Sequence, residues 1–413
     1  MIPKPSDPGA VIDLLGYARG TRWFGSQPAD VLGTSLTDWW VRPQDAGLGV
    51  RSGFLDVALG GERARFHIPL GYVPTGSSEA PVLGRETIDG VAFDIVDALD
   101  DHRCRMAVLG ALAAQHTGFE LLRPLPGPVT TSRRFGGEQS NTTVIYDDVL
   151  MMKIFRRVWP GPNPDLECHR ALAGDGVATL YGRWHHDGQD LALAVELLPQ
   201  PVDGYQAARD AALAGRPFAT EAAAVGAALA LVHRGLSARL PTGVVEAAPL
   251  RAAWHARLAE ACAEVPALEG LRADLARHFD AVPDLTLPSQ RIHGDCHLGQ
   301  TILSRGAWFY VDFEGEPMVP LTRRREPDLA VRDVAGMLRS FGYAAAGADA
   351  SWLADCREAF LDGYGPLTDA ERQVLLALEI DKACYEVRYE HRYRPALVEV
   401  PFGYLRRVAS SGR

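Results

Sequence analysis

The hydrophobic pattern of the chain changes near residue 200. Before that point, short apolar runs are typical of β-strands, as in Phe54–Leu59, Thr142–Tyr146 and Leu191–Leu198, and one helix is predicted around Asp165–Ala173. After about residue 205, helical periodicity dominates in stretches rich in alanine, leucine and arginine. These stretches are 218–234, 250–280, 329–342, 352–363 and 368–391. This order of elements predicts an α+β protein.

Turn-forming residues divide the chain further, most clearly at Val73–Ser78 and at the proline-rich run Arg123–Pro128. We predict three regions. Residues 1–95 form a small α/β cap with a helix at Ala10–Tyr17 and a strand at Ala64–Leu70, residues 96–200 form an antiparallel sheet with one helix, and residues 201–413 form a helical lobe. Two strand-like pieces interrupt the helical lobe, at 290–293 and 308–313.

Composition excludes several classes of protein. The 413 residues are 47% hydrophobic and 23% charged with a formal net charge of −10, which suits a globular protein and disfavours a nucleic-acid partner. No run reaches the roughly 18 apolar residues of a membrane span, and no export signal is visible at the N-terminus, so we expect a cytoplasmic protein. The six cysteines are scattered without short pairings, which indicates reduced thiols.

The strongest chemical signal is the segment His293–Gln300, sequence HGDCHLGQ, followed by Asp312 at the end of an apolar strand. Phosphoryl transfer requires one carboxylate to orient the attacking hydroxyl and accept its proton, together with oxygen ligands for magnesium. Asp295 suits the first task, and Gln300 and Asp312 suit the second. The alternative is a loop whose acidic residues only cap turns.

A nucleotide site is predicted independently. The chain has only three lysines, and Lys153 lies in the middle of an apolar strand, where a charge needs a partner. Glu167 on the following helix is the expected partner, and such a pair would position nucleotide phosphates. The preceding segment Glu138–Thr143 offers amides and hydroxyls to phosphate oxygens. The residues predicted to do so are Ser140, Asn141 and Thr142. The alternative is a plain ion pair, and no glycine-rich Walker loop is present.

The last long helix carries a candidate acceptor site. Asp381, Tyr385 and Tyr389 recur every four residues, and Glu386 and Glu390 lie on the adjoining stripe. Carboxylates bind sugar hydroxyls and would favour a cationic amino sugar, while tyrosines stack on sugar faces. The alternative is an ordinary amphipathic helix with intrahelical Glu–Arg pairs.

These motifs resemble the aminoglycoside phosphotransferase and eukaryotic-like kinase superfamily, whose catalytic loop is H-G-D-x-H-x-x-N. Gln300 replaces the usual asparagine, and this glutamine, with D-F-E-G-E-P at 312–317 and R-D-V-A-G-M-L-R-S at 332–340, is similar to the actinobacterial maltokinase-like and glucosamine kinase branch. The resemblance covers about residues 130–400. It implies a bilobal eukaryotic-like kinase fold, with ATP and Mg²⁺ as cofactors.

The resemblance also implies roles for further residues. The backbone of Glu196 and Leu198 would meet the adenine, Asp203 would reach the ribose, and Asp333 would brace the catalytic loop from below. The implied activity is a monomeric sugar kinase that binds ATP and a small sugar, with glucosamine phosphorylated at the 6-position preferred. The alternatives are a maltokinase, which acts on the 1-position of maltose, an aminoglycoside phosphotransferase and a nucleotide-binding pseudokinase. Arg392–Pro395 departs from the R-N-R-P pattern of maltokinases.

Overall fold

The computed structural model describes residues 12–25, 29–42, 47–59, 61–136, 140–316 and 319–411. The chain divides into two compact units. The N-terminal unit contains the residues up to Glu167 and the segment Ala178–Pro199, and the C-terminal unit contains Cys168–Val177 and Gln200–Arg413. The predicted division into a cap (1–95), a sheet region (96–200) and a helical lobe (201–413) stays a prediction.

The N-terminal unit is built on two antiparallel sheets. The first has the strand order β1-β2-β3-β5-β4, with β10 pairing β3, and the second has the order β6-β11-β12-β9-β8-β7. The strands are β1 (Ala29–Leu36), β2 (Gly49–Leu59), β3 (Glu62–Pro74), β4 (Val82–Ile88), β5 (Val91–Asp97), β6 (Phe119–Leu121), β7 (Ser132–Arg134), β8 (Thr142–Tyr146), β9 (Leu150–Ile154), β10 (Arg157–Val158), β11 (Leu180–His186) and β12 (Gln189–Glu196).

In the described part of this unit, helices α1 (Leu14–Arg19) and α2 (His102–Ala113) accompany these sheets. A third helix, α3 (Pro164–Leu172), begins in the N-terminal unit and continues into the C-terminal unit. The aromatic residues His67 on β3 and Trp184 on β11 join the two sheets, with ring centroids 4.7 Å apart. Their contact buries side chains of both sheets in one interior.

A buried ion pair connects Asp97, the last residue of β5, to Arg156, which lies between β9 and β10. Arg156 Nη2 donates to Asp97 Oδ2 at 2.7 Å, and the two side chains are 0% and 1% exposed. The hydroxyl of Tyr17 also donates to Asp97, and Arg156 Nε donates to the Thr142 hydroxyl at 2.8 Å. These hydrogen bonds compensate the cost of burying the two charges.

The C-terminal unit is mainly helical. Its helices after α3 are α4 (Gly204–Leu213), α5 (Ala219–Arg239), α6 (Ala247–Glu264), α7 (Arg272–Asp280), α8 (Leu321–Arg324), α9 (Ala330–Ala344), α10 (Ala350–Tyr364), α11 (Asp369–Tyr393) and α12 (Glu399–Ser411). Its strands are β13 (Val202–Asp203), β14 (Gly243–Glu246), β15 (Thr286–Ser289), β16 (Thr301–Ser304) and β17 (Ala307–Tyr310). Among them, β13-β16-β17 form a three-stranded sheet and β14-β15 a pair.

The helices form where the sequence supplies both an apolar face and a defined start. Helix α11 begins with a capping box, in which the Thr368 hydroxyl accepts from the Glu371 N–H and the Glu371 carboxylate accepts from the Thr368 N–H. Helix α9 is buried along most of its length, including Val334, Met337 and Phe341. It therefore forms the centre of this unit's core and can support a loop packed against it.

The predicted α+β class and the long helices are confirmed, and three local predictions are corrected. The first helix covers Leu14–Arg19, displaced from the predicted 10–17, of which residues 10 and 11 lie outside the described ranges. The segment 290–293 is not a strand, apart from a bridge between Gln290 and Asp328, and the N–H of His293 bonds to the Asp333 side chain of α9. The strand predicted at 308–313 ends at Tyr310.

All six cysteines are buried and free of disulfides. Within the described ranges, no helix combines the length and the apolar character that crossing a membrane requires.

Candidate active site

The loop His293–Gln300 is fixed by one buried carboxylate. Asp333, in the first turn of α9, accepts hydrogen bonds from the N–H of His293 at 2.7 Å and from the N–H of Gly294 at 3.0 Å. Gly294 has φ of 83°, a conformation that glycine adopts without strain. The expected bracing role of Asp333 is therefore confirmed by these contacts.

Asp333 is itself held by His233 of α5. The ring Nε2 of His233 donates to Asp333 Oδ2 at 2.9 Å, and Nδ1 hydrogen-bonds with the hydroxyl of Tyr364 at 2.9 Å. Burial acts to raise the pKa of Asp333, but the hydrogen bonds from His233 and from the Gly294 N–H hold it below its usual value. The brace is therefore an ionised carboxylate at neutral pH.

His293 connects the loop to the segment that leads into Asp312. Its Nδ1 accepts from the Asp295 N–H at 3.3 Å, so that Nε2 carries the proton and donates to Val311 O at 2.9 Å. Val311 N in turn donates to Gln300 O at 3.0 Å. These three bonds place Asp295, Gln300 and the residue preceding Asp312 in one small region.

The segment after Val311 carries two acidic residues. Asp312 has a left-handed backbone with φ of 65°, and its carboxylate and that of Glu314 each offer an oxygen, the two lying within 4.8 Å of each other. A pair of carboxylate oxygens fits a hard cation such as Mg²⁺. Sequence analysis identified Asp312 and missed Glu314, two residues further along the same motif.

Two small residues of α9, Gly336 and Ser340, allow the loop to pack closely on this helix. A Cβ at Gly336 would lie 2.4 Å from the carbonyl oxygen of Cys296, so the loop backbone packs directly on the helix. The Leu298 N–H donates to Ser340 Oγ at 3.1 Å. Burial lowers the pKa of His297, with the Asp295 charge acting in the opposite direction, which keeps this imidazole neutral near pH 7.

The N-terminal unit contains the predicted lysine site. Lys153 of β9 donates to Asp165 Oδ2 at 2.8 Å, and both side chains are largely buried. Sequence analysis expected Glu167 as the partner and missed Asp165, which lies in the first turn of α3, where Asn163 Oδ1 accepts from the Asp165 N–H. The role of Glu167 stays a prediction.

The predicted phosphate-binding segment is tied to Arg156. The Thr142 hydroxyl accepts from Arg156 Nε, and Asn141 Oδ1 accepts from the Arg156 N–H at 3.4 Å. Asn141 Nδ2 lies 3.5 Å from Ser140 Oγ. Residues 138 and 139 of this segment lie outside the described ranges. The contacts hold Asn141 and Thr142 at the start of β8, and phosphate binding by this segment stays a prediction.

The proposed adenine and ribose residues lie on different units. Glu196 ends β12, where its carboxylate accepts from the Thr179 hydroxyl at 3.1 Å, and the Leu197 N–H donates to Val149 O. Leu198, next along the chain, is buried. Asp203 belongs to the C-terminal unit and caps α4 by accepting from the Gln206 N–H at 2.8 Å. Its side chain therefore has a structural function that the sequence analysis did not expect.

The acidic stripe of α11, defined as Asp381, Glu386 and Glu390, corrects an expectation. Arg257 binds both oxygens of Asp381, at 2.6 and 2.7 Å, and Arg339 donates twice to Glu386 Oε2. Glu390 is 1% exposed and accepts from the Tyr343 hydroxyl and from an arginine one turn along. Because these carboxylates are neutralised inside the protein, they are poor candidates for binding a sugar.

The tyrosines of the same helix are accessible. Tyr385 is 52% exposed, and its ring stacks on that of Tyr389 with centroids 6.3 Å apart and an interplanar angle of 27°. Tyr393 continues the row, with its centroid 5.0 Å from that of Tyr389. The row offers an aromatic face on the surface of the C-terminal unit.

The braced loop that carries Asp295, the nearby carboxylate pair and the strand lysine occur in an α+β chain with the bilobal eukaryotic-like kinase fold, the fold of a phosphotransferase. No protein-family model matches the chain. A glucosamine kinase from Streptacidiphilus jiangxiensis is 30% identical over 322 residues, which are 66% of this chain and 72% of that protein. The chain belongs to the glucosamine kinase family.

Two further comparisons agree with this assignment. A glucosamine kinase from Mycolicibacterium smegmatis is 27% identical over 370 residues, covering 78% of this chain and 89% of that protein. A solved structure of a glucosamine kinase in complex with glucosamine, ADP and inorganic phosphate is 23% identical, with a TM-score of 0.68, over 99% of this chain and 100% of that one. The structural match establishes the shared fold.

Proposed function

We propose that this protein transfers the γ-phosphoryl group of ATP to the 6-hydroxyl of glucosamine, giving glucosamine 6-phosphate and ADP. The observation that carries the proposal is the position of Asp295 in the loop braced by Asp333, in a chain of the glucosamine kinase family. The maltokinase and aminoglycoside alternatives have no comparable support.

Asp295 acts on the acceptor. The 6-oxygen attacks the γ-phosphorus, a new P–O bond forms, the bond to the bridging oxygen of ADP breaks, and the hydroxyl proton passes to the Asp295 carboxylate. Asp333 and His293 act through the loop backbone, because they fix its position without reaching the reacting atoms. Their contribution is to hold Asp295 in one orientation.

The donor set of the loop and the following segment suits magnesium. Gln300 and Asp312 are the proposed ligands, and Glu314 is added because its carboxylate oxygen lies within 4.8 Å of that of Asp312. When bound, Mg²⁺ neutralises negative charge on the phosphates.

Residues of the N-terminal unit bind the nucleotide. Lys153, held by Asp165, meets the α- and β-phosphates, and Glu167 supports the same group. Ser140, Asn141 and Thr142 are the proposed contacts to the phosphate oxygens. The backbone of Glu196 and Leu198 binds the adenine. Asp203, which belongs to the C-terminal unit, is the proposed ribose contact.

The acceptor lies near Tyr385 and Tyr389, whose exposed rings can stack on a pyranose face. The protein is proposed to act as a monomer in the cytoplasm.

The activity is tested by measuring ADP release with ATP and Mg²⁺ from the purified protein. The acceptors are glucosamine, glucose, N-acetylglucosamine, maltose and kanamycin, and the Asp295→Asn variant is the matched control. We expect turnover with glucosamine that is lost in the variant. Turnover only with maltose or kanamycin would contradict the proposal, and no turnover with any acceptor would favour a pseudokinase.

A further inference from the structure

The acceptor proposed above carries an ammonium group, which needs an available carboxylate. The acidic stripe of α11 does not supply one, because each of its carboxylates is already bonded to an arginine. These carboxylates are also largely buried, so they have little accessible surface left for a second cation. The group that recognises the ammonium must therefore lie on another element beside Asp295.

Glu316 lies on the segment that packs against the catalytic loop. A Cβ at Gly294 would be 3.4 Å from the Cα of Gly315, so the residue before Asp295 contacts the residue before Glu316. The Glu316 side chain is 42% exposed, in contrast to 11% for Asp381. Its Oε1 accepts from Lys382 Nζ at 3.1 Å, and within residues 140–316 and 319–411 the structure gives this carboxylate no other hydrogen-bond partner.

Lys382 approaches the loop from α11. A Cβ at Gly336 would lie 3.9 Å from Lys382 Cε and 2.4 Å from the Cys296 carbonyl oxygen, so the lysine stem passes beside the residue that follows Asp295. Lys382 thus holds the Glu316 carboxylate next to the catalytic loop.

The charges around this pair favour a cation even with the lysine protonated. Burial acts to lower the pKa of Lys382, but the carboxylates of Glu316, Glu386 and Asp295 outweigh burial and raise it. Burial raises the pKa of Tyr385, and the charges of Glu316 and Asp295 raise it further. The charged and titratable groups around the pair are Asp295, His293, His297, Asp312, Glu314, Glu316, Arg324, Lys382, Tyr385, Glu386 and Tyr389, and Arg339 neutralises Glu386.

We propose that Glu316 binds the ammonium group of the acceptor and that Lys382 is a positioning residue, which holds the Glu316 carboxylate beside Asp295. The inference rests on the proposed glucosamine kinase activity and identifies the residue that distinguishes glucosamine from glucose. A hydrogen bond to a charged group discriminates by about ten- to a hundredfold between a charged and an uncharged ligand.

The test compares Glu316→Gln with the wild type on glucosamine and on glucose. We expect kcat/KM for glucosamine to fall about ten- to a hundredfold in the variant, mainly through KM, while kcat/KM for glucose and KM for ATP stay within about twofold. Glu399→Gln is the matched control, because Glu399 is an exposed glutamate on α12. It should leave all three quantities unchanged.

The pH profile gives a second readout. An amine on a polar carbon skeleton loses its proton above about pH 8, so kcat/KM of the wild type for glucosamine should decline there relative to glucose. The decline should be absent in Glu316→Gln, which cannot distinguish an ammonium from an amine. Lys382→Met should raise KM for glucosamine, and Lys382→Arg should restore much of the loss if positioning is the role.

The outcomes separate the two proposals. A wild type that does not phosphorylate glucosamine overturns the proposed function and this inference with it. A wild type that does so, with equal losses on glucosamine and glucose in Glu316→Gln, overturns only the inference. Should that variant fail to fold by circular dichroism, Glu316→Asp keeps the charge on a shorter side chain and must retain the preference for glucosamine over glucose.

Discussion

The catalytic loop and the acidic stripe of α11 both carry carboxylates, but the fold treats these carboxylates in opposite ways. In the loop, Asp333 accepts hydrogen bonds from the N–H groups of His293 and Gly294. Asp295 bonds to His293 through its backbone N–H and not through its carboxylate. On α11, arginines bind Asp381 and Glu386 directly. An acidic side chain is therefore available to bind or react with a substrate only where other groups, and not this side chain, pair with the nearby charges and N–H donors.

The largest effect is expected at Asp295. Asp295→Asn should lower kcat about a thousandfold, because an amide cannot accept the hydroxyl proton, while ATP affinity is retained. Steady-state kinetics and calorimetric titration with a non-hydrolysable ATP analogue would measure the two quantities. A kcat within tenfold of the wild type would remove Asp295 from the catalytic role.

The brace is the next test. Asp333→Asn places an amide NH₂ against an N–H donor of the loop or against His233, so we expect a loss of about 3 kcal/mol in unfolding free energy together with a lower kcat. Urea unfolding followed by fluorescence measures the first quantity. If the variant matched the wild type in both, the loop would not depend on this carboxylate.

The same carboxylate predicts an acid dependence. Because the folded-state pKa of Asp333 lies below its unfolded value of about 3.9, its contribution to stability is complete above that value and is lost as the pH falls through the folded pKa. Urea unfolding from pH 6 down to pH 3 should show a smaller decline in Asp333→Asn than in the wild type. Parallel curves for the two proteins would contradict this assignment.

A smaller effect is expected in the N-terminal unit. Asp165→Asn removes the charge that partners Lys153, so KM for ATP should rise about tenfold, with little change in KM for the sugar. Glu167→Gln, measured alongside, compares the observed partner with the one that sequence analysis expected. A larger effect of Glu167→Gln would assign the principal role to Glu167.

The smallest effect on catalysis is expected on the stripe itself. Asp381→Asn weakens the bidentate pair with Arg257, so we expect a loss of about 1 kcal/mol in unfolding free energy and kcat/KM for glucosamine within about twofold. A double-mutant cycle with Arg257→Met should show that the two stability losses are not additive. A tenfold increase in KM for glucosamine in Asp381→Asn would reinstate this carboxylate as a substrate ligand.

The sequence by itself determined the change from short strands to long helices near residue 200, and it singled out the segment 293–300 and Lys153, because these depend on local periodicity and on spacing along the chain. The family resemblance implied that Asp333 lies under the loop. The sequence did not indicate that Asp165 meets Lys153, because that contact depends on how α3 packs against β9, and the contact expected from Glu167 stays a prediction.

Tertiary structure alone decided which acidic side chains are available. Asp381 is neutralised by Arg257 of α6, 124 positions earlier in the chain. Glu386 is neutralised by Arg339 of α9, 47 positions earlier. No local pattern in α11 reveals them. Glu316 and Lys382, 66 positions apart, meet beside Asp295 for the same reason: charge pairing between distant segments is fixed by how helices and loops pack, which the spacing within each segment does not encode.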